Sequence, residues 1–187
     1  MKTPHVRLPK FLLGLPAVKI LIAASMLSAQ DPSGAKTSRD AKQQTGEASG
    51  SARNFDTLAD KALSAMKARA QELKIHGIAV VAYAEGDHVT GWSSKMLVVG
   101  SMTNVPSGDN KGDNLLGIAY AKAAEMASTL SDSGSGTRPP YTGEFGWKGG
   151  VVGNDRSGTF FVAFSGGRSE DDVKLSKAGL EILLAGL

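Results

Sequence analysis

The stretch from Gly149 to Leu184 constrains the fold most tightly. It opens with Gly149-Gly150-Val151-Val152-Gly153, a short apolar segment, followed by the polar turn Asn154-Asp155-Arg156-Ser157-Gly158. The run Thr159-Phe160-Phe161-Val162-Ala163-Phe164 is too short for a typical helix and rich in residues that suit a pleated surface, which predicts a buried strand. Gly166 and Gly167 then allow the chain to turn sharply. Ser169 with Asp172 three residues on approximates a capping box, and Glu170, Asp171 and Asp172 suit the positive end of a helix. Val173, Lys177, Leu180 and Leu184 fall on one face of that helix, with Leu183 and Leu187 beside it and Gly186 as the stop. The prediction is strand, turn, strand, glycine bend and closing helix.

The chain has a very different start. Lys2, Arg7, Lys10 and Lys19 precede or interrupt an apolar run, small residues Ser28 and Ala29 follow it, and no acid occurs before Asp31. This order of charge, apolar run and small residues predicts a secretory signal peptide over residues 1–30, cleaved near Ala29 or Gln30. The alternatives are an uncleaved anchor or an amphipathic transit peptide, but Pro16 and Lys19 leave the apolar run short and broken for a membrane span. Without these four cations the 21 basic residues become 17 against 18 acids, a net charge of −1. The basic balance therefore belongs to the leader, and the remainder has no electrostatic case for nucleic acid or an anionic membrane surface. The expected location is periplasmic or secreted. The lack of cysteine excludes disulfides, thiolate metal sites and Cys nucleophiles, and it agrees with export.

Residues 31–53 are polar and contain no aromatic or branched aliphatic residue, which predicts a flexible linker. The expected domain covers residues 54–187. Leu58, Ala62, Met66, Ala70 and Leu73 form one face of a helix from Asn54 to Lys74. Gly77 to Ala84 and His88 to Val99 read as the arms of a hairpin across Glu85-Gly86-Asp87, the second arm long enough to break near Ser93-Ser94. A loop from Met102 to Gly112 leads to a second helix, Leu115 to Leu130, capped by Asp113 or Asn114. Its stripe is Leu115, Ile118, Ala119, Lys122, Met126 and Leu130. The long loop from Ser131 to Lys148 carries Tyr141, Phe145 and Trp147. Hairpins imply antiparallel pairing, so the expected fold class is α+β, an antiparallel sheet of about five strands flanked by three helices.

Catalytic signals are sparse. There is no nucleophile-elbow or phosphate-loop pattern, and the Asp109 to Asp113 spacing fails the EF-hand pattern. His5 lies in the expected leader, and isolated histidines such as His76 and His88 are usually structural or solvated. The Gly166-Gly167 bend before a helix start presents backbone N–H groups that suit an anion, such as the carboxylate of a ligand.

Ser165-Gly166-Gly167 followed five residues later by Asp172, behind a strand and Gly149-Gly150-Val151, resembles the C-terminal signature of the GlcG/HbpS-like haem-binding family. Lys122-Ala123, the Gly86-Asp87-His88-Val89 turn and Lys95-Met96 add to the resemblance, which covers residues 55–186. It implies a profilin-like fold, haem binding and homo-oligomers. For iron, imidazole is the best available ligand, so His88 comes first and His76 second, with Met96 or Tyr141 as an axial partner. Trp92, Phe161 and Phe164 would supply apolar walls. The expectation is an exported haem- or small-ligand-binding module without turnover. The chain departs from the family pattern at Ala84, Phe160, Ala163 and Val152. An interaction domain that has lost the pocket is therefore the alternative, with a haem-degrading enzyme as a third.

Overall fold

The computed structural model describes residues 40–187 apart from Ser157 and Leu187, with backbone only for residues 40–53. The expected signal peptide and the first part of the expected linker lie outside the described residues. Seven elements follow in order: α1 (Asp40–Glu72), β1 (Gly77–Glu85), β2 (Ser93–Val99), α2 (Leu115–Thr129), β3 (Gly150–Asn154), β4 (Gly158–Ser165) and α3 (Ser169–Ala185). Helix α1 starts well before Asn54 and runs back into the segment expected as linker. Ala41, Lys42, Gln43, Gln44, Glu47 and Ala48 are good helix formers, and no proline interrupts them. Among the described residues no helix is long and apolar enough to cross a membrane.

The fold is α+β. Its sheet is antiparallel with strand order β2-β1-β4-β3, so two hairpins lie side by side and join along β1 and β4. It has four strands rather than about five. The expected long second arm is strand only over Ser93–Val99, and residues 86–92 form a turn outside the sheet, exposed except at the half-buried Val89, that begins at Gly86, φ 76°.

Period-two alternation divides the core between the two faces of the sheet. Ala79, Val81, Tyr83, Phe160, Val162 and Phe164 face α1 and α3, where Leu58, Ala62, Met66, Leu175 and Leu183 meet them. Ile78, Val80, Ala82, Phe161 and Ala163 face α2 through Leu115, Ala119, Ala123 and Met126. The central strands therefore read as continuous apolar runs because both their faces are covered.

The helix starts differ in their capping. Asn114 caps α2, its side-chain oxygen accepting from the Gly117 amide. Helix α3 is not closed by the expected box: Arg168 is its N-cap and makes no side-chain cap bond. The buried seam of α3 is Asp172, Leu175, Ser176, Gly179 and Leu183, while Lys177 and Leu184 are exposed. The seam lies beside the expected stripe because α3 packs through small residues. At Gly179 an added Cβ would sit 2.7 Å from Met66 Sδ of α1, so only glycine admits this approach.

Candidate functional site

Three of the sequence motifs, those of Lys122, Gly149 and the Gly166-Gly167 bend with Asp172, converge on one buried polar cluster. Lys122 of α2 and Asp172 of α3 meet at 2.9 Å, with side chains 4% exposed. Lys122 Nζ also donates to the Phe164 carbonyl at the end of β4, at 2.7 Å. Asp172 Oδ1 accepts the Gly167 amide at 2.8 Å. The donors of the Gly166-Gly167 bend therefore face the chain's own carboxylate, in place of the ligand carboxylate expected there. Ser176 Oγ donates to the Gly149 carbonyl at 2.6 Å, and the Phe164 amide reaches the same oxygen at 3.1 Å.

The glycines of the motif make this cluster possible. Gly149 has φ 137°, and a Cβ there would overlap Lys122 Nζ. A Cβ on Gly166 would overlap the His76 carbonyl. Burial raises the Asp172 carboxyl and lowers the Lys122 ammonium, against the attraction between them. Each ion is thus held by the other and by backbone partners in a poorly solvated place.

The residues proposed to touch haem are only partly brought together. Trp92, Met96 and Phe161 share the α2 side of the sheet. The Trp92 and Phe161 rings lie 6.0 Å apart, Phe161 is buried, and the indole is 37% exposed. Met96 is half-buried against the same cluster, as is Val89 from the turn that carries the exposed His88. His76 is elsewhere. It precedes β1 while His88 follows it, so the nine-residue strand sets the two apart by about 27 Å. His76 is exposed beside a groove lined by Lys67, Gln71 and Lys74.

Phe164 is fully buried on the opposite face, toward α1 and α3, so it cannot wall a pocket with Phe161. Tyr141 is 65% exposed in the loop of residues 131–149, with the Arg138 guanidinium carbon 3.8 Å above its ring. Arg138 grips Glu144 through two bonds of 2.6 and 2.8 Å, and the Tyr141 amide donates to the same carboxylate at 2.8 Å. These contacts hold the Glu144 carboxyl far below the ordinary 4.5, at about 2. The loop is thereby a built structure that presents Tyr141 and the stacked pair Phe145 and Trp147, whose centroids are 4.8 Å apart.

Sequence reasoning selected Lys122 and Asp172 as motif members but gave neither a binding role. Their spacing of 50 residues carries no local signal for contact. Lysine in an otherwise apolar helix stripe was the available hint. In comparisons with known proteins, no family model matches the chain, and no curated protein matches it.

Proposed function

We propose that this chain is an exported haem- or small-ligand-binding module of profilin-like, GlcG/HbpS-like type, homo-oligomeric and without turnover. The observation that carries the reading is the meeting of Trp92, Met96 and Phe161 on one side of the sheet, next to the turn bearing His88. A partly exposed indole backed by a buried ring suits the face of a flat apolar group. The imidazole at its rim would supply one iron ligand, and the porphyrin iron would supply the affinity for that nitrogen. His76 and Tyr141 have no place in this arrangement, so the fit is one-sided, with the other face of the ligand left open to solvent or a second copy.

Haem titration of the full chain tests the reading. A saturable Soret band, lost in His88→Ala and weakened in Trp92→Ala, is the expected result. A band indifferent to both substitutions would remove the site. The exposed Tyr141, Phe145 and Trp147 favour a second reading, a protein-interaction domain, because exposed aromatics beside arginine resemble interface anchors. That reading expects no Soret band and an oligomer weakened by Tyr141→Ala.

A further inference from the structure

We propose that the cavity beside the Lys122–Asp172 pair binds a small zwitterion of the α-amino-acid class. The cavity has a volume of about 90 Å³ and lies between the start of α2, the end of β4 and the start of α3. At ~30 Å³ for each water it holds about three waters, or a molecule of about five heavy atoms.

The second observation is Ser165. This residue is only 3% exposed, and its parity places it on the α2 face beside Ala163. Its hydroxyl has no hydrogen-bond partner among the described residues, yet none of their fully enclosed side-chain polar atoms lacks one. The Ser165 hydroxyl therefore opens onto the cavity that it lines. A hydroxyl that faces a cavity and has no protein partner has its bonds left for the cavity's occupant.

The remaining lining selects the ligand's charge. Lys122 and Asp172 satisfy each other. Asp113 accepts from Asn104 Nδ2 at 3.1 Å through Oδ2 only, which leaves its other oxygen open. Lys148 has no ionic partner among the described residues. Asp113 and Lys148 both line the cavity, as does Ser169. A simple anion would meet Asp113 and a simple cation would meet Lys148. A molecule carrying a carboxylate and an ammonium a few bonds apart answers both, and its carboxylate has lone pairs left to accept from the Ser165 and Ser169 hydroxyls. Trp147 stands at the wall and the volume is small, so the smallest members of the class, glycine and alanine, fit it best.

The test is an amide-shift titration of the full chain with glycine, using acetate and methylammonium as single-charge controls. Glycine should give saturable shifts at Gly166, Gly167 and Ser169, and each control should bind about tenfold more weakly or worse. Ser165→Ala should weaken glycine about fivefold, the size of one net hydrogen bond. Absence of saturation, equal binding of acetate, or unchanged affinity in Ser165→Ala would overturn the proposal. Should Ser165→Ala fail to fold, Lys148→Ala at the exposed rim decides: a loss of about fivefold or more supports the site and no loss refutes it. The proposal does not rest on haem. The two titrations report different residues, so the failure of one leaves the other standing.

Discussion

At the residue scale, the Lys122–Asp172 pair sets the sharpest expectations. Removing one ion leaves the other buried without its counter-charge, so Lys122→Met should cost about 3–5 kcal/mol. Asp172→Leu should cost a similar amount, and the double variant should cost clearly less than the sum, because two groups in contact do not act independently. Denaturant unfolding of the four species measures the coupling, and additive costs would show that the contact contributes nothing of its own. Glu144 sets an expectation in pH. Its folded value is depressed to about 2 from 4.5, so the stability it lends is complete above the upper value and disappears as pH falls through the lower one. Fluorescence of Trp147, read in a Trp92→Phe background, should change as pH falls toward about 2 and lose that transition in Glu144→Gln. Phe161 and Phe164 carry a lesson about legibility. They are three apart in a strand, so alternation assigns them to opposite faces, and the shared wall expected of them overlooks that alternation.

At the element scale, α3 meets its neighbours through small side chains. The apolar pattern of this helix suggested a stripe through Val173 and Leu184, whereas the buried seam includes Ser176 and Gly179. Hydropathy finds long apolar side chains well, but it misses seams where closeness of backbone replaces side-chain bulk. Gly179→Ala should therefore destabilise by about 1–3 kcal/mol despite its better helix propensity, since its methyl group meets Met66, which is fully buried. Met66→Ala should cost about 2–5 kcal/mol through the cavity it leaves. Combining them should recover part of that loss, because each change fills or vacates the same space. Melting temperatures of the three variants check this, and a double variant as unstable as the sum would contradict the packing described. By contrast, α2 and the central strands were legible almost to the residue. Their signals were local: an asparagine cap, an apolar stripe, and strands too short and too apolar for anything else.

At the scale of the molecule, β1 and β4 are central and covered on both faces, while β2 and β3 are edges. Amide exchange should rank accordingly, with residues 79–82 and 161–164 slowest and residues 86–92 fastest. Comparable protection along the β1–β2 turn would argue for a longer hairpin. The class of fold was legible because hairpins and amphipathic helices announce themselves locally. The number of strands was less so, since residues 88–92 have strand-like composition and no partner to pair with. The site was least legible, because a motif names its members without stating which ones touch. One further consequence comes from the way the two hairpins abut. Residues 100–149, α2 included, link them, and Tyr141 and Thr142 lie exposed in the last part of that link. A protease nick there would leave two polypeptides still zipped together along the sheet's midline, so the cleaved protein should migrate as one body in native gels and come apart only in denaturant.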